Sequence, residues 1–472
     1  MESAALLIDF GSTYTKLRAV DLDRRRILGA GQGPSTVTSD IMIGMKAALL
    51  DLERRLGGLP RFRYRLASSS AAGGLRMVTI GLVRELTAEA ARRAALGAGA
   101  KLVGTFAQRL TQGDIGAIVT RAPDILLLAG GTDGGNSDVI LHNAGALGRS
   151  ALSCPIVLAG NRSATDAALA LLAGKDVIVT ENVMPEFNVL NIEPARAAIR
   201  QVFIDRIVHA KGIDRAQAEF DQLLMPTPAA VLEGARLLAD GCEGVSGLGP
   251  LLVIDPGGAT TDVHSITSGE PSLPGVIVQG LPEPRVKRSV EGDLGMRHNA
   301  ANIVEVAGLE AIAADAGLAP ARAAVLVAEI AQDVERLPRA TEEIALDQAL
   351  ARAAVAQAVM RHCGTVETVY TVVGPVSVQH GKDLSMVGTV IGTGGAIVHS
   401  SDPRAVLAMA LAEPSAPQSL RPRRPKLLLD RGYLLYACGL LGAVDPPAAL
   451  GLALANLEPL DAEQALERTR TA

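Results

Sequence analysis

The sequence contains no tryptophan, and aromatic residues make up only 2% of its 472 positions. Proteins that bind single strands of nucleic acid stack bases on aromatic side chains, and those that bind a phosphate backbone carry a basic face. This chain has a formal net charge of −5, so both deficits argue against a nucleic-acid partner. Its hydrophobic content of 48% predicts a globular protein with an aliphatic core and two or three domains.

Cysteine pairs and long apolar segments are also scarce. The four cysteines form no C-x-x-C pair, which is typical of reduced thiols in a cytosolic protein. The N-terminus lacks the pattern of a secretory signal, and the apolar run from Gly432 to Val444 is too short to cross a bilayer. We therefore expect a cytoplasmic protein with no membrane partner.

Apolar runs that end in small-residue turns recur along the chain, with alanine-rich helical stretches between several of them. Strands that alternate with helices predict α/β domains. The expected segments are a first domain (1–185), a connecting helical segment (186–247), a second domain (248–411), a proline-rich and basic linker (412–426) and a C-terminal helical piece (427–472).

Two distant stretches share one pattern. LLIDFGSTYTK, from Leu6 to Lys16, and LLVIDPGGATTDV, from Leu251 to Val263, each read as an apolar strand, an aspartate, glycine and a cluster of hydroxyl residues. Glycine lets backbone N–H groups approach an anion closely, and a carboxylate at a strand end can hold Mg²⁺ through water. The repeat therefore predicts two phosphate-binding turns, with a magnesium site at Asp9 and Asp255.

The residues expected to contact the phosphates belong to these two stretches. Hydroxyl groups add donors to phosphate oxygens, and a lysine supplies positive charge for a polyphosphate. The candidates are Gly11, Ser12, Thr13, Thr15 and Lys16 in the first stretch, and Gly257, Gly258, Thr260 and Thr261 in the second.

Both stretches resemble the phosphate motifs of the superfamily of actin, DnaK-type chaperones and sugar kinases. The resemblance implies an α/β fold of two actin-like (ribonuclease H-like) ATPase domains that face one another across a nucleotide cleft, with ATP and Mg²⁺ as cofactors and a short C-terminal extension. It also implies a glycine pair that clamps adenosine. The candidate for that pair is IGTGGAIVHS (Gly392, Gly394, Gly395), and AGGTDGGN (Gly130, Gly131, Gly134, Gly135) is the rival.

Longer strings narrow the family. GGTDGGN, VLAGN, ENVMPEFNVLNIEPAR, VEGDLGMR and VIGTGGA, in this order, resemble the methylaspartate (glutamate) mutase accessory family, called GlmL or MutL, which is unrelated to the mismatch-repair protein of that name. The likeness covers nearly the whole chain. A weaker similarity to hydantoinase A proteins includes ENVMPE and the region from Leu232 to Asp262.

The family resemblance implies an ATP-driven chaperone. Its partner would be an adenosylcobalamin-dependent mutase, from which it would release damaged cobalamin. Asp9 and Asp255 would orient the water shell of the metal, and Glu181 or Asp262 would orient the water that attacks the γ-phosphate. Glu291 and Asp293 are expected either near the nucleotide or as caps of a helix.

Two other functions fit the same fold. A small-molecule kinase or ATP-coupled hydantoinase-like enzyme would need a polar substrate pocket, and a filament-forming protein would polymerise with nucleotide. DVHSIT, from Asp262 to Thr267, has threonine where the cobalamin-binding signature D-x-H-x-x-G requires glycine, so we do not expect cobalamin to bind there. The chain has no P-loop pattern.

Overall fold

The computed structural model describes residues 4–11, 14–34, 36, 40–69, 75–210, 221–372 and 374–460, without the side chains of 206–210 and 222–224. Contacts divide the chain into two compact units, Met1–Gly234 with Leu435–Leu452, and Ala235–Leu434 with Ala453–Ala472. The segment 427–472 therefore contributes to both units. The domain boundaries expected from the sequence remain predictions.

The first unit contains a sheet with three antiparallel strands followed by two parallel ones. Its order is β10-β4-β1-β2-β3, in which β1 is antiparallel to β2 and parallel to β4. This is the order of a ribonuclease H-like sheet. The strands are β1 (Ala4–Phe10), β2 (Tyr14–Asp21), β3 (Arg26–Pro34), β4 (Phe62–Ser69) and β10 (Gln222–Pro226).

Glycines allow helices to pack closely in this unit. Helix α1 (Ile41–Leu56) lies against β3, where Gly31 and Gly33 leave no room for a Cβ beside the α1 backbone. Near the C-terminus, α14 (Leu435–Gly442) packs closely on α7 (Thr227–Asp240). The approach is possible because residue 439 is glycine, since a Cβ there would collide with the Ala230 carbonyl.

A second sheet of the first unit is entirely parallel. Its order is β6-β5-β7-β8-β9, and its central strands are fully buried apolar runs, as expected for a sheet covered on both faces. The strands are β5 (Arg76–Gly81), β6 (Lys101–Ala107), β7 (Ile125–Leu128), β8 (Ile156–Leu158) and β9 (Val177–Val179). The other helices of this unit are a π-helical turn (Arg84–Ala88), α2 (Glu89–Gly97), α3 (Gln112–Arg121), α4 (Asp138–Gly148), a 3₁₀ turn (Arg162–Ala164), α5 (Thr165–Leu171) and α6 (Glu193–Ala210).

The second unit repeats the ribonuclease H-like order. Its main sheet runs β16-β14-β13-β19-β20-β21, with β13 antiparallel to β14 and parallel to β19. The α/β fold with two ribonuclease H-like sheets is thereby confirmed. The strands are β13 (Leu251–Pro256), β14 (Thr261–Ile266), β16 (Val286–Glu291), β19 (Thr389–Gly392), β20 (Lys426–Leu429) and β21 (Glu458–Pro459).

Helices supply most of the core of the second unit. The longest, α11 (Thr341–His362), buries one face against the main sheet and the neighbouring helices. The remaining helices are α8 (Ala300–Ala307), α9 (Leu309–Asp315), α10 (Pro320–Gln332), α12 (Gly395–Val398), α13 (Pro403–Ala408) and α15 (Pro446–Asn456), the last of which crosses the boundary between the units. Two small sheets pair β11 (Gly241–Cys242) with β12 (Val245–Ser246), and β15 (Ile277–Gln279) with β18 (Gly374–His380) and β17 (Thr365–Thr371).

The segment expected to be a solvated linker, 412–426, is partly buried. Leu420 and the basic Arg421 are 5% and 4% exposed. Arg421 donates to the Glu413 carboxylate at 3.0 Å, and the Leu420 N–H donates to the Gly364 carbonyl at 3.0 Å. These contacts hold the segment against the second unit.

No single helix among the described residues is long and apolar enough to cross a membrane. The helices Leu309–Asp315 and Pro320–Gln332, which meet at a bend of 97°, reach the length and apolar composition of a membrane span only when they are taken together.

The core of the second unit predicts a strong dependence on α11. Leu350 on this helix is fully buried, whereas Met360 on the same helix is 47% exposed. We expect Leu350→Ala to lower the free energy of unfolding by about 2–5 kcal/mol through the cavity it leaves. Met360→Ala is the matched control and should change it by less than about 0.5 kcal/mol. Denaturant unfolding measures both, and equal losses would contradict the packing described here.

Candidate functional site

The two stretches singled out in the sequence form matching hairpins. In the first, β1 and β2 pair Asp9 with Lys16, and the turn closes by a hydrogen bond from the Gly11 N–H to the Tyr14 carbonyl at 3.0 Å. In the second, β13 and β14 pair Asp255 with Asp262, and the Gly257 N–H donates to the Thr260 carbonyl at 2.8 Å. Each aspartate therefore ends a central strand two residues before a tight turn.

The Asp9 carboxylate is buried at the end of β1. Burial raises the pKa of Asp9, and this rise is partly offset by a hydrogen bond from Thr227 and by the positive charges of Lys16 and Arg18. The Thr227 hydroxyl donates to Asp9 Oδ1 at 2.6 Å and lies 3.1 Å from the Ser68 hydroxyl. A cation close to the carboxylate would favour its charged form, so this environment fits a metal ion held there.

The hydroxyl residues of the first stretch differ in what the structure describes. Ser12 and Thr13 lie outside the described residues. Thr15 Oγ1 is buried, and no described residue forms a hydrogen bond with it. It faces α1, where it lies 3.3 Å from the Cβ position of Gly44. Gly11 cannot carry a side chain, since a Cβ there would crowd the Tyr14 carbonyl.

The carbonyl groups of the second turn are occupied by the segment that follows β16. Arg297 N–H donates to the Gly258 carbonyl at 2.8 Å, and the Asn299 side chain donates to the Ala259 carbonyl at 2.9 Å. No described residue accepts from the N–H groups of Gly258 and Ala259. Both residues are exposed, and successive backbone N–H groups of a turn can bind an anion.

The remaining threonines of the second turn are less available. The Thr261 hydroxyl is buried and donates to the Leu294 carbonyl at 2.6 Å. The Thr260 hydroxyl lies 3.4 Å from Asp262 Oδ2. Of the two, only Thr260 is left to contact a ligand.

The candidate adenosine turn lies beside the second phosphate turn. Strand β19 runs parallel to β13 and pairs Gly392 with Ile254. Gly394 has φ = 82° and packs so closely on Asp255 that a Cβ would collide with the carboxylate oxygen Oδ1. Gly395 then begins the short helix α12. The structure therefore brings Gly392, Gly394 and Gly395 together with Asp255.

The rival glycine-rich turn lies in the first unit at the end of β7, a strand of the all-parallel sheet. Two buried asparagines from the following loops hold it. Asn161 accepts from the Gly134 N–H at 3.1 Å and donates to the Gly135 carbonyl at 3.1 Å, and Asn182 donates to the Gly131 carbonyl at 3.0 Å. Gly130 completes the turn with φ = 142°. This turn therefore belongs to the all-parallel sheet of the first unit.

The acidic candidates have different partners. Asp262 Oδ1 accepts from Arg288 at 2.8 Å and 3.0 Å, in a largely buried pair. Glu181 is exposed in the loop after β9 and accepts from Asn191 at 2.8 Å. The structure thus places Asp262 in the second hairpin and Glu181 in a loop that follows a strand of the all-parallel sheet.

Glu291 and Asp293 are bridged by one arginine. Arg361, near the end of α11, donates to Glu291 at 2.8 Å and to Asp293 at 2.7 Å and 2.9 Å. These bonds lower the pKa of Asp293. The pair fixes the segment after β16 to α11 and does not cap a helix.

A small cavity of about 20 Å³, room for about one water molecule, lies in the second unit. Arg297 and Asp347 of α11 line the cavity and form an ion pair. The backbone N–H of Arg297 also donates to the Gly258 carbonyl of the second turn. The other lining residues include acidic, basic and apolar side chains: Leu326, Glu329, Ile330, Arg336, Pro338, Glu343 and Leu346.

Among the described residues, no group of three or more His, Cys, Asp or Glu side chains could hold a metal ion directly. Mg²⁺ usually keeps several waters and needs only one or two carboxylates together with substrate phosphates. Asp9 and Asp255 each lie near the end of a central strand of their own unit.

Three contacts of the site are invisible in the sequence. Thr227 follows β10 and reaches Asp9 from 218 positions away. Arg288 on β16 binds Asp262, and Gly394 packs on Asp255. Each depends on which strands become neighbours, so a local pattern gives no signal for them.

Gly394→Ala tests the contact between the adenosine turn and Asp255. The new Cβ would overlap the carboxylate, and a backbone with φ = 82° and ψ = 152° is adopted almost only by glycine, so it costs other residues about 1–3 kcal/mol more. We expect a loss of ATP affinity together with lower thermal stability. Gly388→Ala is the matched control, because nothing lies within 4 Å of its Cβ position, and it should behave as wild type. Normal ATP binding by Gly394→Ala would contradict this arrangement.

Thr227→Val tests the support of Asp9. The substitution keeps the shape of the side chain but removes a hydrogen bond to a charged group, which is worth about 1.5–3 kcal/mol. We expect Mg²⁺-dependent ATP affinity, measured by calorimetry, to fall roughly tenfold or more. Thr227→Ser keeps the hydroxyl and should retain affinity; equal affinity of the Val and Ser variants would refute a role for the hydrogen bond.

Comparisons with solved structures give only weak likenesses. A xylulose kinase from Rhodospirillum rubrum matches with a TM-score of 0.34 and 15% identity, over 99% of this chain and 96% of that one. A xylulose kinase from Bifidobacterium adolescentis matches with a TM-score of 0.31 and 11% identity, over 97% and 94%. Because these scores are low, the fold assignment rests on the strand orders.

Sequence comparison gives a much stronger result. The family described as MutL protein matches residues 5–457. Protein MutL of Clostridium tetanomorphum is 46% identical over 450 residues, which cover 95% of this chain and 97% of that protein. The resemblance inferred from the motifs is confirmed, and the chain belongs to the MutL protein family.

Proposed function

We propose that the chain is a Mg²⁺-dependent ATPase that acts as an accessory, reactivating chaperone of an adenosylcobalamin-dependent mutase such as glutamate (methylaspartate) mutase. The repeated hairpin is the observation that carries the ATPase part, because Asp9 and Asp255 hold the same position before the same closed turn. Membership of the MutL family supports the mutase part.

The residues of both hairpins have roles in this proposal. Mg²⁺ bound through water at Asp9 and Asp255 would neutralise the charge of the phosphates. Lys16 would pair with the β- and γ-phosphates, and the exposed N–H groups of Gly258 and Ala259 would donate to phosphate oxygens. Catalysis would then be mainly positional and electrostatic.

Asp262 is the better supported residue for orienting the attacking water. Arg288 holds its Oδ1 at 2.8 Å, which fixes the carboxylate while Oδ2 makes only a 3.4 Å contact with the Thr260 hydroxyl. Glu181 remains a second candidate. It lies in a loop that follows the all-parallel sheet, and its described hydrogen-bond partner is Asn191.

One feature of the second unit supports a nucleoside site there. Gly392, Gly394 and Gly395 follow β19, which pairs with the strand that carries Asp255, and Gly394 packs on the Asp255 carboxylate. These glycines would clamp adenosine.

The accessory role requires that nucleotide states differ in their affinity for the mutase. A nucleotide shifts a conformational equilibrium only by its differential affinity for the two states, and the coupling to the partner is reciprocal. Binding of inactivated mutase would therefore change ATP turnover, and the cycle would promote exchange of damaged cobalamin for intact adenosylcobalamin.

The test is ATP hydrolysis with Mg²⁺ by the wild type and by Asp9→Ala, each with and without a mutase inactivated by bound cyanocobalamin. We expect the wild type to hydrolyse ATP, the mutase to accelerate it, and mutase activity to return when adenosylcobalamin is added. Asp9→Ala should do none of these, since it removes the carboxylate expected to hold the metal's water shell. Asp23→Ala, at an exposed position of the same unit, is the control and should match the wild type.

The other outcomes separate the alternatives. ATP turnover that requires a small metabolite, with no response to the mutase, would replace the chaperone by a kinase or hydantoinase-like enzyme. Nucleotide-dependent sedimentation of large polymers would indicate a filament-forming protein. Absence of nucleotide binding would refute the function assigned to both hairpins.

A further inference from the structure

The small sheet of the second unit, β15-β18-β17, exposes apolar side chains. Ile277 on β15 is 57% exposed, and Val369 and Tyr370 on β17 are 40% and 84% exposed. Among the described residues, no other helix or strand makes more than marginal contact with these three strands. Ile277 and Val369 lie on one face of the sheet and Tyr370 on the other, because paired residues share a face and successive residues alternate. Val369 and Tyr370 therefore place exposed apolar side chains on both faces of β17, which is an edge strand.

Strand β17 has an open edge. Its first two residues are occupied, because Thr365 bridges to Ser419 and the Val366 N–H donates to the Gln418 carbonyl at 2.8 Å. Successive residues of a strand direct their backbone groups to alternate sides. Since Val366 points away from β18, Thr368 and Tyr370 also direct their N–H and C=O groups to the open edge.

The open stretch is complementary to itself. Antiparallel pairing of two copies about Val369 places Val369 opposite Val369 of the partner subunit and Thr368 opposite the partner's Tyr370. Aromatic and β-branched residues are favourable cross-strand pairs. The single acid, Glu367, falls opposite the partner's Thr371, so no two like charges oppose each other.

The backbone groups select the same register. Pairing about Val369 joins Thr368 with the partner's Tyr370 as a hydrogen-bonded pair, twice by symmetry, so that all four outward N–H and C=O groups of each copy are used. Pairing about Thr368 would instead need Val366, whose N–H is already bonded to Gln418. Val369 also shares a face with Val376, its neighbour on β18, so an apolar row would run across the dyad.

We propose that β17 is a dimerisation strand, which pairs with β17 of a second copy of this chain into one continuous six-stranded sheet. The two-fold axis passes beside Val369, and Thr368 and Tyr370 supply the hydrogen bonds. The proposal does not depend on nucleotide binding, because this sheet contains none of the phosphate motifs.

The first test is sedimentation of the full chain over a range of concentrations. Wild type should be a dimer, and Val369→Lys should be a monomer at the same concentrations, because it places two lysines directly opposite each other. Leu337→Lys, at a 68% exposed residue of the same unit away from the sheet, is the matched control and should remain a dimer. Circular dichroism of each variant shows whether the fold is intact.

The second test is cross-linking and does not require a destabilising charge. Opposed residues of a non-hydrogen-bonded pair have Cα atoms about 4.5 Å apart, which permits a disulfide. Val369→Cys should therefore cross-link under mild oxidation. Glu367→Cys alone should not, whereas Glu367→Cys with Thr371→Cys should. The wild type controls for the native cysteines, three of which are buried.

Two results would overturn the proposal. One is a monomeric wild type at all concentrations; if Val369→Lys then weakens its binding to mutase, β17 pairs with a different protein. The other is a dimer that survives Val369→Lys and gives no cross-link at Val369→Cys, which would place the interface elsewhere.

Discussion

A carboxylate at the end of a fully buried strand is the constraint on which the first unit depends. All seven residues of β1 are buried, including Asp9 at its carboxyl end, and removing a charge from water is costly unless it is paired. Thr227 meets part of this cost, and it can do so only because β10 lies beside β4 in the sheet. The ribonuclease H-like strand order is therefore what makes a buried aspartate tolerable at this position.

The second unit repeats the backbone of this arrangement but changes its chemistry. Asp255 ends the central strand as Asp9 does, yet the group packed on it is the backbone of Gly394. The residue paired across the hairpin is Lys16 in the first unit and Asp262 in the second, where Arg288 balances the charge. One hairpin thus presents a cationic side chain, and the other presents backbone N–H groups. The two hairpins are alike in backbone geometry and differ in the groups that they present.

The sequence predicted what depends on neighbouring residues and missed what depends on strand order. Both hairpins were predictable, because an apolar run followed by aspartate and glycine specifies a strand and a tight turn locally. The supports of Asp9, Asp262 and Asp255 were not, since each comes from a strand distant in sequence. The all-parallel sheet was visible only as separate strand-turn patterns. Leu420 and Arg421 were hidden within a proline-rich basic stretch whose composition indicates solvent, although tertiary contacts bury both.

The strings that revealed the family divide into two physical classes. VIGTGGA and VEGDLGMR contact the turn of the second hairpin: Gly394 packs on the Asp255 carboxylate, and the N–H groups of Met296 and Arg297 donate to carbonyls of the turn. GGTDGGN, VLAGN and ENVMPE follow three successive strands of the all-parallel sheet, and Asn161 and Asn182 tie the three loops together. Those asparagines are buried, and their side chains form hydrogen bonds mainly with the backbone of the loops. Their role is therefore to stabilise the loop conformation. A family signature can therefore be specific without each of its residues touching a ligand, and the residues expected to contact ATP are better identified from the repeated hairpin than from the longest matching strings.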